Sequence, residues 1–197
     1  VRAEMQAAQS ISFLGIVAGA AAFAGGWNWF RRVALPALAL LALAMPLPAP
    51  LLHDATARLQ TLSASGAQAL LNVTGFAPVT RSGNVLIMPQ YTMDVDTPCS
   101  GLQTLLTAIA LSVALALLSD LPRARSLVLI SLAVPVAILS NVLRIALIGV
   151  IGECFGATPA HNLHDASGYL GTVFCSGLLL FAMWRMGCHR LAGQPLF

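Results

Sequence analysis

Three side chains that could take part in one reaction lie inside or beside apolar segments of the chain. Cys99 opens one apolar run, Arg144 lies in the middle of a second, and His164 comes just before a third. A guanidinium at membrane depth costs roughly 3 kcal/mol or more, so Arg144 is expected to have a partner or a function. A thiol, a fixed cation and an imidazole at one membrane face would suit acyl-transfer chemistry, in which a base-activated thiol attacks a carbonyl.

The composition is that of an integral membrane protein. Of the 197 residues, 58% are hydrophobic and only 9% are charged, whereas soluble domains carry about 25% charged residues. The net charge of +3 gives no reason to expect nucleic-acid binding, and four cysteines are too few and too scattered for a disulfide framework. The chain starts at Val1 and has no signal peptide of the usual layout, so we expect a processed or incomplete sequence.

Five segments are apolar and long enough, or nearly long enough, to cross a bilayer as helices, for which about 20 residues are needed. They are residues 10–26, 33–52, 99–118, 127–151 and 168–186. Pro135 inside the fourth segment predicts a kink, because proline removes one helical hydrogen bond.

Arginine clusters in the connections predict the orientation of these spans. The clusters are Arg31 with Arg32, Arg123 with Arg125, and Arg185 with His189 and Arg190. All three would lie on one side of the membrane, and an arginine excess is typical of the cytoplasmic side. Cys99 then begins the third span at the outer face, and His164 lies in the outer loop before the fifth span. Arg144, seven residues before the outer end of the fourth span, would lie roughly 10 Å deep.

The outer segment between the second and third spans is predicted to contain a helix and a small sheet. Apolar residues recur every three or four positions over residues 52–73, which indicates an amphipathic helix lying either on the membrane surface or against its own bundle. Residues 79–88 predict a β-hairpin with a turn at Ser82-Gly83-Asn84, and residues 91–95 alternate like a half-buried strand.

That strand leads to Cys99, which is predicted to open a helix. Asp96 or Thr97 would cap this helix, and Pro98 would fit its first turn. Unpaired N–H groups at a helix N-terminus favour a thiolate. The predicted fold class is therefore an all-α polytopic membrane protein with about five transmembrane helices, an outer amphipathic helix and a small β-hairpin and strand insertion before the Cys99 helix.

Each chemistry-bearing residue also has a structural interpretation. Cys99 could pack in the core or form a disulfide with Cys154 on the same outer side. Arg144 could extend to the outer headgroups without further function, although Ser140 and Asn141 share its helix face and indicate that this face points into the bundle.

Two histidines allow a further interpretation. His161 and His164 are three residues apart and could share a helix face as metal ligands, but a metal site would need at least a third ligand. A titrating imidazole is also the natural general base for a thiol.

Taken in order, these residues resemble the signature of the exosortase/archaeosortase family of multi-pass membrane proteins, thought to be cysteine transpeptidases. The matching motifs are Cys99-Ser100-Gly101-Leu102, Asn141-Val142-Leu143-Arg144-Ile145 and His164-Asp165 with Gly168. The resemblance covers most of the chain and implies one exosortase-like transmembrane domain over residues 1–197, without further upstream helices that the family usually has.

The resemblance also implies the site and the substrates. Cys99, Arg144 and His164 would be the catalytic set, with Asn141, Ser100 and Asp165 in support and no cofactor or metal. The substrates would be membrane-anchored secreted proteins with a C-terminal sorting tail: a short motif such as Pro-Glu-Pro (PEP-CTERM), a transmembrane helix and a basic cluster. Cleavage would occur at the outer face of the cytoplasmic membrane, followed by transfer to an acceptor that the sequence does not identify.

Two other functions remain open from the residues alone. A small transporter or channel could use Arg144, Ser140 and Asn141 to line a polar pathway, leaving Cys99 incidental. A metal-dependent membrane peptidase could use His161 and His164.

Overall fold

The computed structural model of the protein describes residues 2–30, 38, 49–95, 100–188, 190–191 and 194–195. This part of the chain is mostly helical. Its helices are α1 (Arg2–Trp29), α2 (Ala49–Val73), α3 (Leu102–Leu118), α4 (Arg123–Phe155) and α5 (Ala157–Arg185). Its strands are β1 (Thr80–Ser82), β2 (Val85–Ile87), β3 (Thr92–Asp94), β4 (Arg190–Leu191) and β5 (Gln194–Pro195).

Two helices of the described chain are long and apolar enough to cross a membrane. They are α4 and the part of α5 from Ala166 to Arg185. The fourth and fifth predicted spans are thus confirmed as apolar helices of sufficient length. The third predicted span forms α3, an apolar helix of 17 residues, which at 1.5 Å per residue is about 25 Å long and slightly short for a typical bilayer.

The first two predicted spans have different outcomes. Residues 10–26 lie within α1, whose helical geometry is interrupted at Gly26 (φ 69°), where the predicted span ends. Residues 33–48 of the second span lie outside the described residues, apart from a helical residue at 38, and residues 49–52 already belong to α2. That either segment crosses the membrane stays a prediction.

The helices α4 and α5 are joined by a single residue, which corrects the prediction of an outer loop over residues 152–167. Gly156 (φ 87°, ψ −178°) ends α4 and precedes α5. Pro159 lies in the first turn of α5, where its missing N–H is not needed. His161 and His164 are therefore helical residues and do not lie in a loop. The chain also continues as helix through Pro135 in α4.

The helix predicted over residues 52–73 is confirmed and packs on its own bundle. Its buried face is not the predicted apolar one, because Leu62 and Val73 are 49% and 86% exposed whereas Thr56 is buried. In α2, Ser63, Ala64, Ala67 and Leu71 are buried. A Cβ added at Gly66 would lie 2.7 Å from Cγ2 of Val142 on α4. Only a glycine allows the two helices to approach this closely, so α2 is fixed against the outer half of α4.

The predicted hairpin and strand form a three-stranded antiparallel sheet in the order β1-β2-β3. Ser82 pairs with Val85, so Gly83 (φ 62°) and Asn84 make a two-residue turn. The backbone N–H of Gln90 donates to both carboxylate oxygens of Glu153 at 3.0 and 3.2 Å. This contact attaches the sheet to the end of α4 that the charge pattern places outside.

The core has two hydrophobic clusters, one towards each end of the bundle. The first joins α2 and the sheet to α4 and the start of α5, with Leu86, Val95, Ile145 and Ala160 among its members. The second joins α3, α4 and α5 through Leu115, Leu129, Leu179 and Met183. The layer of α4 between them carries polar side chains.

Candidate active site

Arg144 lies in this polar layer and is held by α5. Its Nε donates a hydrogen bond to Oγ of Ser167 at 2.8 Å, and its Nη2 donates to the backbone carbonyl of His164 at 3.2 Å. The Ser167 hydroxyl also donates to the His164 carbonyl at 2.9 Å. Arg144 therefore has partners inside the protein, so extension to the headgroups does not account for its position. Helix α4 continues eleven residues beyond it to Phe155, roughly 16 Å along the axis.

Arg144 and His164 line one cavity of about 310 Å³. The cavity lies between the start of α3, the middle of α4 and the outer part of α5. Its other lining residues are Gly101, Gln103, Thr104, Gly168, Tyr169 and Thr172. The structure thus brings two of the three predicted catalytic residues to the same cavity as Gly101, two positions after Cys99 in the chain.

Cys99 itself lies outside the described residues, together with Asp96, Thr97 and Pro98. The described helix α3 begins at Leu102, three residues after the predicted start at Cys99. Its N-cap position is Gly101, which has a left-handed backbone (φ 80°, ψ 5°). Ser100 is 3% exposed, and its hydroxyl accepts a hydrogen bond from the Leu102 N–H at 3.3 Å.

Asn141 lies where α2, α3 and α4 meet. It is 2% exposed, and its Nδ2 donates to Oγ of the buried Ser63 at 3.0 Å. A Cβ at Gly101 would lie 2.7 Å from Cγ of Asn141. The start of α3 therefore packs directly on the Asn141 amide, one turn before Arg144, and the predicted inward orientation of Ser140 and Asn141 is confirmed by their burial.

Ser140 provides a second contact between α4 and α5. Its hydroxyl donates to the Gly171 carbonyl at 2.8 Å, one helical turn from the Arg144 contacts. The Cδ of Arg144 would lie 3.9 Å from a Cβ at Gly171. The two helices are thus joined by the Ser140 hydrogen bond as well as by the two hydrogen bonds of Arg144.

His164 is half-buried, and its ring stacks on the exposed His161 ring with 6.4 Å between centroids. Among the residues that the structure describes, no group of three or more His, Cys, Asp or Glu side chains could hold a metal ion. Asp165 follows His164 in α5, and its side chain is outside the description.

The alternative disulfide between Cys99 and Cys154 is not formed, because Cys154 is an exposed free cysteine. It lies at the end of α4, next to Phe155.

Ser167 is a residue of this site that no sequence pattern had indicated. It is 2% exposed and contacts both Arg144 and the turn that carries His164. Residues three apart are neighbours on a helix, so a prediction of helix over residues 157–167 would have placed Ser167 next to His164. Tyr169, 82% exposed at the rim of the cavity, was also not singled out.

Comparison with known proteins gives one match. A family model described as transmembrane exosortase matches residues 2–181. No curated protein and no solved structure matches the chain.

Proposed function

Because the chain belongs to the transmembrane exosortase family, we propose that it is a cysteine-type endopeptidase and transpeptidase of the cytoplasmic membrane. Cys99 is the nucleophile, His164 the general base and acid, and Arg144 the group that binds the developing negative charge. The observation that carries this assignment is the cavity shared by Arg144, His164 and Gly101.

The reaction follows the order expected of a thiol and an imidazole. His164 takes the proton of the Cys99 thiol, and the thiolate attacks the carbonyl carbon of the scissile peptide bond. The tetrahedral intermediate collapses when the C–N bond breaks, and the leaving amine takes the proton from His164. The resulting thioester is then attacked by an acceptor amine or by water, and His164 removes the proton of this nucleophile. The C–S bond breaks, and His164 returns the proton to the Cys99 sulfur.

Arg144 is suited to the electrostatic part of this reaction. A guanidinium has five N–H donors, and two of them are directed to Ser167 and the His164 carbonyl. The remaining donors can bind a substrate oxygen that becomes negatively charged in the transition state. Because the guanidinium is already oriented, it needs no rearrangement when the charge develops. Such a donor lowers the activation barrier by about 3–4 kcal/mol.

The proposed substrates are membrane-anchored proteins with a C-terminal sorting tail, in which a short motif precedes an apolar helix and a basic cluster. The cavity lies between the two candidate spans, and the peptide bond before the apolar helix of such a tail would bind there. The charge pattern places this end of α4 on the extracytoplasmic side. Membrane lipids surround the enzyme, and no nucleic acid takes part.

The test is co-expression of the protein with a reporter that ends in a sorting tail encoded by the same genome. Cys99→Ala is expected to abolish cleavage, and Arg144→Ala to slow it by roughly 10²–10³-fold. Cys154→Ala is the matched control, since Cys154 is an exposed free cysteine away from the cavity, and should leave cleavage unchanged. A Cys99→Ala variant that still cleaves the tail would refute the assignment, and loss of activity with a chelator would favour the metal-dependent alternative.

A further inference from the structure

The interactions of Ser167 extend the site beyond the three predicted catalytic residues. Its hydroxyl accepts from Nε of Arg144 at 2.8 Å and donates to the His164 carbonyl at 2.9 Å. The same carbonyl accepts from Nη2 of Arg144 at 3.2 Å. Arg144, Ser167 and the His164 backbone thus form a closed set of three hydrogen bonds, two between α4 and α5 and one within α5.

We propose that Ser167 is a positioning residue, which fixes the Arg144 guanidinium so that its remaining N–H donors face the cavity. This inference rests on the proposed function, in which Arg144 binds the oxyanion. Ser167 acts through Arg144 and does not itself need to contact the substrate.

The geometry gives a physical reason for this role. Nε is the donor nearest the arginine stem, so a hydrogen bond there sets the rotation of the guanidinium plane. Without the hydroxyl, the longer contact from Nη2 to the His164 carbonyl would be the only one left among the described residues, and a single contact at one end allows the plane to turn about it. Ser167 is also 2% exposed, so water does not readily replace the lost acceptor.

The closed set also joins the two proposed catalytic groups. The carbonyl that accepts from both Ser167 and Arg144 belongs to His164. A displacement of the guanidinium would therefore be coupled to the helical turn that carries the general base. This coupling is the reason to measure the catalytic step separately from substrate binding.

The primary experiment compares three single variants of the full chain in cleavage of a tail-bearing substrate. Ser167→Ala removes the hydroxyl, and Ser167→Thr keeps one that can still bond the carbonyl three residues back. Ser176→Ala is the matched control, because Ser176 is a half-buried serine of the same helix whose hydroxyl donates to its own helix at the Thr172 carbonyl.

Positioning predicts a defined kinetic pattern. Ser167→Ala should lower kcat by about ten- to a hundredfold, the range for loss of a hydrogen bond to a charged group, with KM nearly unchanged. Ser167→Thr should recover most of that loss, and Ser176→Ala should behave as the wild type. A Ser167→Ala enzyme with wild-type kcat, or one changed only in KM, would overturn the inference.

A double-mutant cycle with Arg144→Ala separates positioning from general damage to the fold. Alanine has no N–H donor in its side chain to bind the Ser167 hydroxyl. If Ser167 acts through Arg144, adding Ser167→Ala to Arg144→Ala should slow single-turnover cleavage by less than about twofold. If Ser167→Ala slows cleavage by the same factor in the wild type and in Arg144→Ala, its role is structural and the proposal is wrong.

The role of Ser167 and the proposed function can be refuted separately. If the wild type is active and Cys99→Ala is inactive while Ser167→Ala is fully active, only the role of Ser167 is refuted. If Cys99→Ala remains active, the proposed function itself is refuted, whatever Ser167→Ala does.

Discussion

Gly101→Ala should be the most informative single substitution, because both the backbone conformation and the space at position 101 disfavour a side chain. The backbone of Gly101 has φ 80°, a left-handed conformation that costs an L-residue roughly 1–2 kcal/mol. In addition, the new Cβ would lie 2.7 Å from Cγ and 2.8 Å from Nδ2 of Asn141. Carbon atoms in favourable contact are about 3.5–4.0 Å apart, so one of the two groups must move.

Asn141 has little room to move. It is 2% exposed, and its amide donates to Ser63, which is 1% exposed. Overpacking of such a site costs about 1–3 kcal/mol. Together with the backbone term, Gly101→Ala is expected to destabilise the protein by roughly 2–5 kcal/mol. The displaced segment is the start of α3, two residues after Cys99, so cleavage should fall more than stability alone would require.

Two control variants separate the causes. Gly75→Ala tests a left-handed glycine alone, since its φ is 66° and nothing lies within 4 Å of the added Cβ. Gly66→Ala tests a close contact alone, with 2.7 Å to Cγ2 of Val142 and no left-handed backbone. Thermal unfolding in detergent and cleavage of the tail reporter are the two measurements.

The melting temperature of Gly101→Ala should fall by about 5–15 °C, and that of Gly75→Ala by about 2–6 °C. Both control variants should retain cleavage per folded molecule, whereas Gly101→Ala should not. If Gly101→Ala has the same melting temperature as Gly75→Ala and cleaves like the wild type, the start of α3 does not depend on its contact with Asn141.

Two further predictions follow from other contacts. Ser63→Ala removes a buried acceptor of the Asn141 amide and should lower the free energy of unfolding by about 1–3 kcal/mol. Ser65→Ala, which removes an exposed hydroxyl that donates to its own helix, should lower it by less than about 0.5 kcal/mol. Equal shifts of the two melting temperatures would contradict this prediction. In the Cys99→Ala variant, a membrane-impermeant maleimide should label the exposed Cys154 in intact cells and should not label Cys175, which is 2% exposed. Labelling of Cys154 only after the cells are opened would show that the predicted orientation is inverted.

Local patterns were sufficient for much of the fold. Long apolar runs predicted α4 and the span in α5, because the length of such a run is a property of the segment itself. The turn at Gly83-Asn84 and the alternation over residues 91–95 predicted the sheet, because hairpin turns and strand faces follow from neighbouring residues. The burial of Ser140 and Asn141 followed from their helical spacing.

Helix boundaries were predicted less well, for reasons that lie in distant parts of the chain. The polar residues around His161 and His164 suggested a loop, but α5 extends back to Ala157 and packs its Ala160 into the core beside α2 and α4. The start of α3 depends on Gly101, whose conformation and contact with Asn141 join segments forty residues apart. No local cap signal indicates such a contact.

The sequence by itself indicated which residues could carry chemistry and, through the charge pattern, on which side of the membrane they are expected. Only the tertiary structure decided that Arg144 and His164 share a cavity, that Gly101 lines it, and that Ser167 holds the guanidinium. The physical reason is the range of the interactions. Hydropathy, turns and helical spacing are read from neighbouring residues, whereas a hydrogen bond between α4 and α5 depends on how two helices pack.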